Sequence, residues 1–203
     1  MQLKKHSSSQ KLRGAYYTPN ELAKEIISLL DFSNTTSILE PGCGDGVFID
    51  ALLNKEDRLP RNTIVTAVEI NTEEAKKVKS KNTPSLNVNV LNEDFLEFYN
   101  REYEKSLFDL IIGNPPYIRY QYLTATQREI QSKILTDHGM KANKLINSWV
   151  CFLVACVQML SENGKIAFIV PAEILQVAYA EDLLSIQYFD KDNSSYLQGT
   201  CFS

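Results

Sequence analysis

Cysteine is sparse in this 203-residue sequence, and the four present, Cys43, Cys151, Cys156 and Cys201, show neither Cys-x-x-Cys spacing nor a nearby histidine pair. That argues against a metal site and a disulfide framework, and it fits a reducing cytoplasm. Histidine is scarcer still: His6 and His138 have no partner by spacing and receive no role. The polar N-terminus lacks a signal peptide. Long apolar runs are missing too, since the richest, Trp149 to Leu160 broken by Gln158, is too short to cross a bilayer and reads as a buried helix. Positive charge is not in excess. The net charge of −4 advertises no global basic field. Basic residues are local instead, as Lys4, Lys5, Lys11 and Arg13 near the start, and as Arg119, Arg128, Lys133, Lys141 and Lys144 in the stretch 118–147. Each group either holds phosphates or is solvated surface. The length and an apolar fraction of 44% suit one globular domain with a real core.

The stretch that organises the chain is Asn114-Pro115-Pro116-Tyr117. It follows Phe108-Asp109-Leu110-Ile111-Ile112-Gly113, an apolar β-branched run that reads as a buried strand. Two consecutive prolines forbid helix and further pairing, and an Asn before Pro is pushed out of the helical region. A side-chain amide, main-chain carbonyls and the flat face of Tyr117 are thus held stiffly at a strand's carboxyl end, where open α/β sheets bind ligands.

Upstream, Thr18-Pro19-x-Glu21 has the form of a capping box with proline in the first helical position, and the helix after it is expected to bury Leu22, Ile26, Leu29 and Leu30. Ser37-Ile38-Leu39-Glu40 reads as the first strand, Pro41-Gly42-Cys43-Gly44-Asp45-Gly46 as a sharp turn and Val47 to Leu53 as a helix. Glu40 and Asp45 would repel a pyrophosphate, so the turn suits a cationic ligand such as a sulfonium carrying an ammonium group. Thr63 to Val68 is a second strand ending in Glu69-Ile70. The Glu69 carboxylate can accept from ribose hydroxyls or simply cap the next helix. That helix closes at Lys76 to Lys81 as a solvated face. Asn87 to Leu91 alternates as a strand before Asn92-Glu93-Asp94-Phe95. Residues 118 to about 144 read as a polar segment, Asn147 to Leu160 as the buried helix stopped by Asn163-Gly164, and Lys165 to Val170 as another parallel strand.

These motifs resemble the S-adenosylmethionine-dependent amino-methyltransferases, above all the N6-adenine DNA methyltransferases of restriction-modification type. The resemblance rests on Asp109 to Tyr117, on Gly14-Ala15-Tyr16-Tyr17-Thr18-Pro19, on Glu40 to Phe48 and on Gly164-Lys165-x-Ala167-Phe168-Ile169-Val170-Pro171. It implies a doubly wound, Rossmann-like α/β sheet, mainly parallel and lacking its last strands. By resemblance Asn114, Pro115, Pro116 and Tyr117 are catalytic, with Tyr117 stacking on the target base. Tyr17, Thr18 and Pro19 lie against the methionine end of the cofactor. Glu40, Pro41, Gly42, Gly44 and Asp45 form the cofactor loop, Glu69 takes the ribose, Ile70 packs on the adenine, and Asp94 and Phe95 meet its amine and ring. The implied cofactor is S-adenosylmethionine and the implied partner is DNA, with a specificity subunit and a companion nuclease as further partners. No metal or membrane is expected. The expected organisation is a basic arm over 1–13, a partial catalytic domain over 14–184 and an irregular tail over 185–203, with the target-recognition domain absent. Methylation of protein glutamine or of ribosomal RNA stays open, as does a non-catalytic remnant that holds cofactor or a partner.

Overall fold

The computed structural model describes residues 17–81, 86–140 and 148–170. The expectations for the basic arm, for Gly14 to Tyr16, for Pro171 and for the tail lie outside them. Five strands, β1 (Ser37–Pro41), β2 (Ile64–Val68), β3 (Asn87–Leu91), β4 (Phe108–Gly113) and β5 (Leu160–Phe168), form one parallel sheet in the order β3-β2-β1-β4-β5. The helices are α1 (Asn20–Leu29), α2 (Val47–Leu53), α3 (Thr72–Lys79), α4 (Phe95–Glu102), α5 (Ala125–Asp137) and α6 (Ser148–Gln158).

The sheet is wound on both faces, as a run of strands apolar on both sides requires. Ile38, Leu110 and Ile112 pack with Ala23, Ile27, Phe48, Ile49 and Val78 from α1, α2 and α3. Leu39 and Ile111 point the other way, into a second core with Phe95, Leu135, Val150 and Val154 from α4, α5 and α6. The apolar run expected to be a buried helix is α6, and among the described residues no helix is long and apolar enough to cross a membrane. Asp109 is the one charge inside β4. Its Oδ2 accepts from the amides and hydroxyls of Thr36 and Ser37, and its Oδ1 accepts from the Ser161 hydroxyl at 2.9 Å, so one carboxylate ties the starts of β1, β4 and β5 together.

Five local expectations are corrected. Helix α1 starts at Asn20 with Pro19 as its cap and no side-chain capping bond, because the Thr18 hydroxyl is engaged elsewhere. Its buried stripe is Ala23 and Ile27, flanked by Ile26 and Leu30, whereas Leu22 and Leu29 are 38% and 58% exposed. The small Ala23 side chain lets α1 settle closely on α2, which rotates the larger leucines outward. The polar segment after Tyr122 contains α5, opened by a full capping box in which Thr124 and Gln127 satisfy each other's backbone amides. Strand β5 begins ahead of Asn163-Gly164: Phe108 pairs with Leu160 and Leu110 with Lys165, so those turn residues sit in a register irregularity rather than before the strand. Lys81 is no mere solvated face, since its ammonium donates to Asp50 at 2.6 Å and to the Gly46 carbonyl at 3.3 Å.

The chain runs outward from β1 through β2 to β3 and then returns to place β4 on the other side of β1. Order therefore reverses between β1 and β4, and the loops leaving their carboxyl ends part to leave a crevice.

Candidate active site

The crevice is floored by the glycine turn after β1. Gly42, Gly44 and Gly46 all have positive φ, and a Cβ on Gly46 would stand 2.8 Å from Val78 Cγ2. The amides of Gly42 and Cys43 donate to the Val68 carbonyl at 2.8 and 2.9 Å, which ties the turn to the end of β2. Glu69 continues the tie: Oε2 accepts from the Gly44 amide at 2.8 Å and Oε1 from the Asn71 amide at 2.7 Å. Asn71 in turn caps α3. Glu69 thus braces the glycine turn and the entry to α3, whose cap is Asn71, while it lines the crevice. Ile70 beside it is 61% exposed, an apolar side chain offered to the open space.

Glu40 lies behind this floor rather than in the lining. It is 2% exposed, and its Oε2 has no hydrogen-bond partner among the described residues. Burial drives its pKa well above the ordinary carboxylate range, with the charges of Asp45, Glu69 and Asp50 adding to the shift and Lys81 opposing it. Pro41 is buried at the end of β1, and Asp45 is half-buried outside the lining.

On the opposite wall, Asp94 caps α4 by accepting from the Leu96 amide through Oδ1 at 2.8 Å, and its Oδ2 accepts from Gln127 Nε2 at 2.6 Å. Phe95 packs on Phe152 with ring centroids 4.7 Å apart, giving this wall an aromatic base. Tyr17 stands at the rim, 47% exposed, and its hydroxyl donates to Glu74 at 3.2 Å. Partial burial and the Glu74 charge both raise its pKa. Pro19 is exposed and does not line the crevice.

The loop after β4 closes the site. Asn114 lines the crevice, with Nδ2 donating to the Thr18 hydroxyl at 3.2 Å. The Tyr117 hydroxyl lies 3.0 Å from Asn114 Oδ1 and 2.8 Å from the Ile169 carbonyl, so one proton is shared between two acceptors. Burial pushes the Tyr117 pKa up to about 12, which keeps that proton in place. Asn114 is thus fixed from both ends of its amide. Pro115 is buried, Pro116 lines the crevice, and the Tyr117 ring is half-buried against the α4–α6 core.

Two side chains that sequence reasoning passed over hold this arrangement. Ser148, 2% exposed at the start of α6, donates through Oγ to the Pro116 carbonyl at 2.7 Å and accepts from the Ile118 amide at 2.9 Å. Its own amide donates to the Ile118 carbonyl, so both sides of Tyr117 are stapled to α6. Gln127 is the other, and the Thr124-x-x-Gln127 spacing was its legible signal. Nothing but a polar residue opening an apolar run marked Ser148.

Among the described residues lining the crevice, Glu69, Glu74, Glu93 and Asp94 are charged and none is Lys, Arg or His. Glu93 and Glu74 are offset by Arg101 and Lys77. A phosphate finds no cationic partner here. A ligand that carries its own positive charge beside a ribose and an aromatic base finds acidic and aromatic partners instead, and the buried, unpartnered Glu40 oxygen behind the floor fits an ammonium group.

Comparison with known proteins gives the family and the fold. The family model described as Eco57I restriction-modification methylase matches residues 17–197. The Type II methyltransferase M.HincII of Haemophilus influenzae is 31% identical over 173 residues, which cover 84% of this chain and 30% of that protein, so the chain spans under a third of this relative. The methyltransferase subunit of a type I restriction-modification system from Streptococcus thermophilus superposes with a TM-score of 0.60 at 21% identity over 83% of this chain and 37% of its own. A SAM-dependent O-methyltransferase from Thermotoga maritima gives 0.52 at 15% identity over 84% and 51%. At such identities these two likenesses speak for the fold alone.

Proposed function

The chain belongs to the Eco57I restriction-modification methylase family, and from this premise we propose that it transfers a methyl group from S-adenosylmethionine to the exocyclic N6 of adenine in DNA. The observation that carries the reading is Asn114: a rigidly held amide oxygen at the mouth of an acidic crevice, beside a carbonyl whose next residue is a second proline.

When bound, the cofactor presents an electrophilic methyl group on a positively charged sulfur that leaves neutral. The chain's task is then to make a poor nucleophile attack, because the lone pair of an adenine amine is delocalised into the ring. Asn114 Oδ1 and the Pro115 carbonyl accept the two N–H bonds, which favours a pyramidal nitrogen and stabilises positive charge as it forms. The surplus proton on the nitrogen would pass to water after the transfer, since neither oxygen is a competent base. Tyr117 offers its ring to a base taken out of the duplex. Glu40 would take the ammonium group, Glu69 the ribose, Ile70 and Phe95 the faces of the cofactor's adenine, and Asp94 its amine. Tyr17, Thr18 and Pro19 border the methionine end, with Thr18 reaching Asn114 directly. Placing donor and acceptor supplies most of the acceleration, and no metal is required.

The catalytic unit is residues 14–184, in the cytoplasm. Reading of the DNA sequence falls to another segment or a specificity subunit, with a nuclease as companion. The test is incubation of the chain with methyl-labelled S-adenosylmethionine and duplex DNA, ribosomal RNA or a glutamine-bearing protein substrate. The expected product is labelled N6-methyladenine in DNA. Label in protein or RNA instead would move the substrate class, and label in none with cofactor still bound would make the chain a cofactor-holding remnant.

A further inference from the structure

Asp94 is held from two directions, and the second hold is unusual in its origin. The first is its own helix, through the Leu96 amide. The second comes from Gln127, thirty-three positions on, in a helix that follows the Asn114 loop. The Gln127 amide cannot rotate freely, because Oε1 accepts from the Thr124 amide at 3.0 Å as the return arm of the capping box. With its oxygen committed to Thr124, the nitrogen must face Asp94, and at 2.6 Å from Oδ2 it makes a short bond to a charged acceptor. The same turn is fastened to the chain leaving the Asn114 loop, since Arg128 donates to the carbonyls of Tyr120 and Gln121.

We propose that Gln127 is a positioning residue for the methyl donor: it fixes the rotation of the Asp94 carboxylate and so aims an oxygen lone pair at the amine of the donor's adenine. This inference rests on the S-adenosylmethionine reading of the crevice. It adds that one amide carries two assignments, one end starting α5 and the other setting the selectivity of the adenine subsite. The class of ligand this favours is a nucleoside whose base offers an N–H to a carboxylate.

The two ends can be separated by substitution. Gln127→Glu keeps an acceptor for the Thr124 amide, because glutamate also serves at this position of a capping box. It loses the donor to Asp94 and puts a second carboxylate there instead. As pH falls the introduced carboxyl takes up a proton and becomes a donor again. Tyr17, Glu69, Glu74 and Glu93, the other titratable groups lining the crevice, are common to both proteins. The ratio of wild-type to variant affinity at each pH therefore isolates the pair.

The experiment is calorimetric titration of the whole chain with S-adenosylhomocysteine between pH 5.5 and 8, with thermal unfolding recorded in parallel. The expected result is about tenfold or greater weakening in Gln127→Glu at pH 8, shrinking to less than about threefold at pH 5.5. Gln127→Met, of similar length but uncharged, is expected to weaken binding by about three- to tenfold with no recovery at low pH. It keeps the test open should the charged variant fold poorly. Equal affinity of either folded variant and the wild type overturns this inference alone. Failure of the wild type to bind S-adenosylhomocysteine overturns both this inference and the reading beneath it.

Discussion

At the scale of single residues, the same physics gives the buried Glu40 and the partly buried Asp109 opposite fates. Glu40 is desolvated without a full set of partners, which raises its pKa, whereas Asp109 is surrounded by donors. For Asp109 burial pushes upward, but the hydrogen bonds from Thr36, Ser161 and Ser37 outweigh it and hold the pKa at about 2. Its contribution to stability is therefore complete above its unfolded value of 3.8 and is lost as pH falls toward 2. Asp109→Asn is expected to lower Tm by about 3–6 °C at pH 6, and that deficit should shrink in melts taken between pH 3.8 and pH 2. Glu40 runs the other way: its ionised form costs stability as pH rises above 4.5, so Glu40→Gln should raise the Tm of the ligand-free protein by about 2–4 °C at pH 7. The same substitution should weaken cofactor binding about tenfold or more, because the ammonium loses its charged acceptor. A variant melting below the wild type at pH 7 would mean that the carboxylate is satisfied in the free protein. Ser148→Ala removes the hydroxyl from two partly buried backbone groups and is expected to cost about 1–2 kcal/mol, with kcat falling more than cofactor affinity. Chemical denaturation and single-turnover rates measure the two effects separately.

Elements were legible in the sequence where one physical cause decided them, and were misread where two causes competed. The strand before Asn114 announced itself by an apolar β-branched run, and the turn after Glu40 by glycines whose positive φ the fold requires. Gly46→Ala combines a strained φ of +81° with a Cβ 2.8 Å from Val78 Cγ2, and is expected to destabilise the protein by about 2–4 kcal/mol. A smaller loss in denaturant titration would show that α3 can move away from the turn. The start of α1 differs from the expectation because Thr18 had two suitors, the helix amides and Asn114, and the loop after β4 won. Its buried face was misread because leucine hydrophobicity said nothing about how closely α1 approaches α2, which the small Ala23 decides. Helix α5 was missed because its face is largely polar; what marked it was the Thr124/Gln127 box rather than apolar periodicity.

At the scale of the molecule, the chemistry depends on residues from distant parts of the chain meeting at one reversal of strand order. Asn114 meets Thr18 across ninety-six positions, and Asp94 meets Gln127 across thirty-three. The individual motifs could be read one at a time, but which of them touch is a property of the fold, and spacing alone gave no hint that the Tyr117 hydroxyl would be spent on Asn114 and Ile169. The most direct test of the account measures single-turnover methyl transfer and S-adenosylhomocysteine affinity in Asn114→Ala beside the wild type. The account predicts transfer slower by about 100-fold or more with affinity changed by less than about threefold. Loss of cofactor binding with the rate of transfer at saturating cofactor unchanged would contradict it.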